Sequence, residues 1–241
     1  MLAHALRRWS EGERHASALL AIDSSDQRGW ALRLEEGRLR GDTLSMQRNA
    51  AHLARLPRTQ RNVWLAMAYA RGPYGTRLLS MTPEQLGLTT LSDSVQDYYD
   101  TKADIRIAQG DEGRARAYYD SIRTKLSRRT LSGPRLYALA GYLALAQSAT
   151  GDTAAGRRTL TSLVASARQV ATRSDLRDVL EPRVMAAIYG RLGEPEEAVP
   201  WLEAGLRAPV RWTARGYANE PKTKVLRGSP AFERFLRAHP E

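Results

Sequence analysis

The sequence contains no cysteine among its 241 residues, so it can form neither a disulfide nor a thiolate metal site. It has only four histidines, and none of them stands at the spacing of a metal-binding HExxH or HxxxH pair. It also lacks a G-x-S-x-G nucleophile motif and a Gly-rich phosphate loop, because its glycines are scattered singly. We therefore expect a protein that is not an enzyme and that needs no metal or other cofactor.

Long apolar segments are absent as well. The longest weakly polar run, Leu136 to Ala149, is shorter than the roughly 18 residues that a membrane-spanning helix needs. The N-terminal sequence MLAHALRRWSEGER is charged and amphipathic, without the apolar core and cleavage site of a secretory signal. We expect a soluble, cytoplasmic protein with no membrane span.

Lysine is scarce, since four lysines stand beside 33 arginines in a chain of net charge +11. Such a charge can indicate a nucleic-acid partner, and the arginines that favour this reading are Arg33, Arg38, Arg40, Arg157 and Arg158. The basic residues form no continuous block, however, and the excess of arginine over lysine is also typical of a biased genomic composition. A solvated, arginine-rich surface is the alternative reading.

What the sequence does contain is a repeated turn. Glycine is followed by an acid at Gly41-Asp42, Gly110-Asp111, Gly151-Asp152 and Gly193-Glu194. An Ala-rich amphipathic segment precedes each glycine, and a second segment with apolar residues at i, i+3, i+4 and i+7 follows it. Glycine suits the end of the first helix because it accepts positive φ, and the acid suits the start of the second as a cap. The pattern predicts antiparallel helical hairpins.

The segment 184–206 resembles the tetratricopeptide repeat family, with Ala186, Tyr189, Ala198, Leu202 and Gly205 at the family's positions. The same pattern is matched in part around the other three turns, by Tyr99, Ala103, Ala115 and Tyr119, by Leu143, Ala144, Gly156 and Leu160, and by Trp30 alone, where Met46 replaces a small residue. The resemblance implies an all-α solenoid of about five to six hairpins with a C-terminal capping helix, and a plain helical bundle of the same hairpins is the alternative.

This organisation corresponds to one domain over residues 1–241, with degenerate repeats in 1–97, clearer repeats in 98–208 and a cap in 209–241. Residues 73–97 are predicted to be a loop with a short helix that starts at Thr82. Near the end, Ser229 and Pro230 predict a helix start, followed by the apolar stripe of Phe232, Phe235 and Leu236. This ending is similar to that of repeat arrays attached to bacterial signalling proteins.

The resemblance implies a role in binding a protein or peptide partner, either as a scaffold or as the sensory part of a bacterial regulator. In the family, the partner contacts the inner face formed by the first helix of each hairpin. Those positions include six candidate partner-binding residues here: Asp97, Asp100, Asp104, Tyr142, Arg183 and Arg191. The three aspartates are spaced i, i+3 and i+7, so they share one helical face. That face is either solvated or in contact with a cation or a basic peptide. A nucleic-acid partner is the alternative to a protein.

Overall fold

The computed structural model describes residues 9–55, 73–83, 91–128, 136–170, 180–207 and 212–240, and these ranges are helical without any strand. The α-helices are α1 (Trp9–Ile22), α2 (Gln27–Arg40), α3 (Thr43–Arg55), α4 (Pro73–Ser80), α5 (Leu91–Ala108), α6 (Glu112–Leu126), α7 (Leu136–Ala149), α8 (Thr153–Val170), α9 (Pro182–Arg191), α10 (Pro195–Arg207), α11 (Ala214–Asn219) and α12 (Pro230–Ala238). A 3₁₀ helix, Lys222–Leu226, lies between α11 and α12. The prediction of an all-α protein is confirmed.

Four pairs of consecutive helices pack as hairpins, namely α2 with α3, α5 with α6, α7 with α8, and α9 with α10. Neighbouring hairpins also touch, because α6 packs against α7 and α7 packs against α9. Short turns of this kind make the two helices of a hairpin antiparallel neighbours. The three hairpins from α5 to α10 are therefore in contact in the order in which they follow one another along the chain.

Each hairpin turn is built as the glycine-acid pattern predicts. The backbone φ is 68° at Gly41, 81° at Gly110, 96° at Gly151 and 77° at Gly193. The glycine N–H donates to the carbonyl three residues earlier, and the following acid's N–H donates to the carbonyl five residues earlier, which is the hydrogen-bond pattern of a Schellman cap. Only glycine adopts this left-handed conformation without a steric cost, so the turn position is fixed by local sequence.

The acid after the glycine caps the next helix in three of the four turns. The side chain accepts the backbone N–H three residues further on, at 3.0 to 3.1 Å, from Ser45 to Asp42, from Arg114 to Asp111 and from Ala155 to Asp152. Glu194 differs, because its longer side chain reaches the preceding hairpin and lies 2.5 Å from Arg157 Nη1. The fourth acid therefore joins two hairpins.

Two hydrophobic clusters form the interior. The smaller one joins α2, α3, α4 and α5 and includes Leu34, Leu53 and Leu78. The larger one runs from α5 to α12 and also takes in Leu39 at the end of α2. Small residues such as Ala144 and Ala186 are fully buried there, which lets the helix axes approach closely.

The prediction of a loop over residues 73–97 was wrong at both ends, because residues 73–80 form α4 and residues 91–97 are the start of α5. Pro73 is its first residue, where a missing N–H costs nothing. The C-terminal end of α4 is stabilised from α5, where Lys102 Nζ donates to Leu79 O at 2.9 Å and to Met81 O at 3.1 Å. Thr82 and Pro83 are not helical, and the rest of the short helix predicted from Thr82 lies outside the described residues.

The C-terminal part of the chain consists of two pieces. Ser229 caps α12 by accepting the N–H of Phe232, Pro230 is its first residue, and α12 packs on α10, so the predicted terminal helix is confirmed. Residues 212–226, which we call the inner segment, do not extend the array. They run back to α2 instead. No described helix is long and apolar enough to cross a membrane.

Candidate functional site

The inner segment connects distant parts of the fold. The Thr213 hydroxyl donates to Leu39 O at 2.9 Å, and Asn219 Nδ2 donates to Gly41 O at 3.1 Å, so the segment is bound to the end of α2. Its 3₁₀ helix then packs against α9 and α5. The predicted inner face of the array is therefore in contact with a segment of its own chain.

Two of the three aspartates on α5 bind this segment. Lys222 is fully buried, and its Nζ donates to Asp100 Oδ2 at 2.7 Å and to Asp104 Oδ2. Asp100 and Asp104 are buried as well, whereas Asp97 is half-buried. The sequence left two interpretations of this aspartate face open, a solvated face or contact with a cation or basic peptide. Asp100 and Asp104 contact a basic group, and that group, Lys222, belongs to the same chain.

A second group of ion pairs lies beside the first, and here the inner segment supplies the acid while α2 and α9 supply the bases. Glu220 has a side chain only 1% exposed, and its carboxylate lies 2.8 Å from Arg183 Nη1 and 3.9 Å from Arg38 Nη1. Both guanidinium groups also lie near the ring of Trp212, at 4.8 Å for Arg38 and 5.7 Å for Arg183. Guanidinium groups over an aromatic face are attracted by its quadrupole. Together with Lys222, Asp100 and Asp104, these residues form a buried network with three charges of each sign.

The remaining predicted residues lie at the edge of this network. Arg191 Nη1 is 3.4 Å from Lys222 O, and its guanidinium lies 5.4 Å from the centre of the Tyr119 ring. Tyr142 is half-buried on α7. The structure therefore gathers Asp100, Asp104, Arg183 and Arg191 around the inner segment. That these residues also bind a second molecule stays a prediction.

Burial controls the acidities in the network. It raises the pKa of Asp100 and of Asp104 above 3.8, and the charge of Lys222 offsets only part of this effect. Desolvation also raises the pKa of Glu181, but the charges of Arg183 and Lys222 outweigh it and leave that pKa below its ordinary value. Glu181 is therefore a carboxylate at neutral pH, and its side chain is 46% exposed.

An open pocket of about 110 Å³ is lined by both Glu181 and Tyr142. Its wall is mostly apolar and comes from α7, α8 and the start of α9: Tyr137, Ala138, Gly141, Tyr142, Leu163, Leu180, Glu181, Val184 and Met185. A Cβ added at Gly141 would lie 3.6 Å from Val184 Cγ1 and 3.9 Å from Leu163 Cδ2, which is ordinary contact. The packing therefore tolerates a Cβ atom here, and the glycine leaves that space open.

No protein-family model matches this chain, and searches of curated proteins and of solved structures find no match. Within the described ranges, no three histidine, aspartate or glutamate side chains lie close enough together to hold a metal ion.

Sequence reasoning missed Lys222, Glu220 and Trp212, because residues 209–241 were read only as a cap. One signal was present, namely that lysine is rare in a chain rich in arginine. Lys102 and Lys222 are both buried, and each donates to several oxygens around a compact ammonium group. A planar guanidinium has a different shape and cannot replace an ammonium there without rearrangement. Two of the four lysines, Lys102 and Lys222, therefore make buried contacts, whereas Lys125 is exposed and Lys224 is half-buried.

Proposed function

We propose that the protein is a non-catalytic scaffold that binds a protein partner, built as a tetratricopeptide-like solenoid of helical hairpins. The stacking of α5 to α10 in chain order supports this architecture. The observation that carries the binding role is the open pocket beside Tyr142, a residue of the predicted inner face. Its lining residue Glu181 pairs with Arg183, which in turn pairs with Glu220 of the inner segment. The apolar wall of the pocket and ionised Glu181 together suit a partner side chain and a neighbouring positive charge.

The size of the pocket fits one aliphatic side chain. A closed apolar cavity of about 150 Å³ takes up a molecule the size of benzene, so 110 Å³ suits a leucine, valine or methionine anchor. A few residues that are well packed and desolvated in pockets carry most of the binding free energy in protein interfaces, so the anchor alone would account for part of the affinity. A basic residue beside the anchor would meet Glu181.

The inner segment supports the same proposal from within the chain. It is bound to this face by a lysine between two aspartates and by a glutamate beside two arginines. The face therefore has the charges and the aromatic surface that recognise a polypeptide. A role in a bacterial regulator depends on the resemblance of the chain's end alone.

Nucleic-acid binding is the alternative, and the ion pairs argue against it. Four of the five arginines that favoured it lie beside a carboxylate of the same chain: Arg33 beside Glu13, Arg38 beside Glu35, Arg40 beside Glu36, and Arg157 beside Glu194. Phosphate contacts release counterions and make binding fall steeply with salt. We expect weak binding to duplex DNA and to single-stranded RNA, with little dependence on salt between 50 and about 200 mM.

Site-specific photo-crosslinking tests the partner site. A photoreactive amino acid replaces the exposed pocket residue Ala138 in the full chain, expressed in its native cells, and Ala117 on α6 is the exposed control position. We expect a discrete protein adduct from position 138 that is absent from position 117. The adduct should disappear with Gly141→Val, which fills the pocket. An adduct that persists with Gly141→Val, or no adduct at all while the helical content is unchanged, would contradict the proposal.

A further inference from the structure

A second cavity, of about 680 Å³, lies between α1, α2 and α3, and it shares no residue with the pocket beside Tyr142. Cavities that bind small ligands usually measure roughly 300 to 1,000 Å³. We call this cavity the polar cleft, because no apolar side chain is among the residues that line it: Ser10, Glu13, Arg33, Glu36, Gly37, Arg40, Asp42, Ser45, Arg48 and Asn49. Three of these residues are basic and three are acidic.

One acidic group in the cleft has an unused oxygen. Glu36 is only 7% exposed, and its Oε1 lies 3.1 Å from Arg40 Nη1. Its Oε2 is buried and has no hydrogen-bond partner among the residues that the structure describes. A buried carboxylate oxygen without a donor is unfavourable, because it has lost its hydrogen bonds to water and no protein hydrogen bond replaces them. Among the described residues, therefore, nothing supplies the donor that this atom lacks.

One basic group beside it has an unused donor. The Arg33 guanidinium is fixed by α1, since its Nη2 lies 2.5 Å from Glu13 Oε1 and 2.9 Å from Ser17 Oγ. Its Nε is buried and donates to no described atom. Arg33 and Glu36 are three residues apart on α2, so their side chains are neighbours on one helical face. Two residues that line the cleft, three positions apart on one face of α2, thus carry one unused donor and one unused acceptor.

We propose that the polar cleft binds a small zwitterion of the amino-acid type, whose carboxylate accepts from Arg33 Nε and whose ammonium donates to Glu36 Oε2. In an α-amino acid the two charged groups are attached to the same carbon, which suits a donor and an acceptor three residues apart on one helical face. The equal number of basic and acidic side chains leaves the cleft without a strong preference for an anion or a cation. Binding by a free amino acid would make the protein a ligand sensor as well as a scaffold.

Calorimetric titration of the full chain with each of the twenty free amino acids, and with glycylglycine, tests this proposal. We expect saturable binding of at least one of these probes. The N-acetyl form of the bound probe lacks the ammonium and the carboxamide form lacks the carboxylate, so each should bind at least tenfold more weakly. If no probe gives saturable binding, or if the capped forms bind as well as the free one, the proposal is wrong.

Two substitutions locate the binding. Glu36→Gln removes the negative charge of the carboxylate. Arg33→Lys keeps the positive charge but removes the Nε–H donor. Each substitution should weaken binding at least tenfold. Arg157→Lys and Glu194→Gln alter a matched ion pair outside the cleft and should leave it unchanged, as should Gly141→Val in the other pocket. Urea unfolding provides a second readout. Glu36→Gln should keep or raise stability, whereas a residue with only a structural role would lose stability. Unchanged binding by Glu36→Gln would overturn the assignment.

Discussion

Lys222 Nζ donates a hydrogen bond to Asp100 Oδ2 at 2.7 Å, although 122 residues separate the two along the chain. Both side chains are buried, so the pair is shielded from water and from salt. The contact joins the inner segment to α5 and converts the acidic face of one helix into an internal interface.

Loss of the Lys222 charge should strongly destabilise the fold. Lys222→Met leaves Asp100 and Asp104 buried without their cation, which costs about 3–5 kcal/mol when one partner of a buried pair is removed. Urea unfolding followed by circular dichroism measures the change. The triple variant Lys222→Met, Asp100→Asn, Asp104→Asn should recover most of the loss, because no buried charge remains. A single variant that loses less than about 1 kcal/mol would contradict this account.

The two aspartates should make stability depend on pH in the opposite sense to most acids. Burial raises their pKa above 3.8, so the folded state holds protons that the unfolded state has already released. The stabilising contribution of these two groups to the free energy of unfolding is then fully present below pH 3.8 and is lost as the pH rises through the raised pKa. Relative to the native sequence, Asp104→Asn should therefore be more stable at pH 7 than at pH 4, as measured by urea unfolding at each pH. A difference that stays constant or reverses would show that the pKa of Asp104 is not raised.

Gly205 on α10 should tolerate no side chain. A Cβ there would lie 1.9 Å from the hydroxyl oxygen of Tyr217 in α11, so one of the two must move. Gly205→Ala should lose about 1–3 kcal/mol, as overpacked cores do. The same substitution in a Tyr217→Phe background should cost clearly less, because the clashing oxygen is absent. Thermal unfolding of the native protein, the two single variants and the double variant gives the coupling free energy between the two positions. Additive effects of the two substitutions would refute the contact.

Two nearby glycines should respond in opposite directions to alanine. Gly110 has a φ of 81°, so Gly110→Ala should lose about 1–2 kcal/mol from left-handed backbone strain alone. Gly113 lies within α6, and nothing approaches its Cβ position within 4 Å. Gly113→Ala should therefore gain up to about 0.5 kcal/mol through lower chain entropy. Equilibrium unfolding measures both values, and equal signs would mean that the turn does not require positive φ.

The hairpins could be predicted from the sequence because their causes are local. A glycine that ends a helix with positive φ and an aspartate that caps the next one act within five residues, so Gly110-Asp111 and its equivalents are readable directly. The start of α12 at Ser229 and Pro230 was predictable for the same reason. The error at α4 is instructive, because part of what stabilises that short helix comes from Lys102, more than 20 residues away.

The candidate site could be predicted only in part. The spacing of Asp100 and Asp104 placed both on one face and allowed for a basic partner, but no local pattern identifies Lys222 as that partner. Likewise, the oxygen Oε2 of Glu36 is unpaired because no described donor lies within hydrogen-bond distance of it, and the sequence contains no information on such distances.

The sequence by itself therefore determined the all-helical class, the positions of the turns and which helix faces carry charge, since these depend on backbone preferences and helical periodicity. Only the tertiary structure decided that residues 212–226 run back across the array to α2, α5 and α9. That path depends on contacts between residues more than 100 positions apart, such as Thr213 with Leu39 and Lys222 with Asp104. Such contacts exist only once the hairpins have stacked and brought their charged faces together.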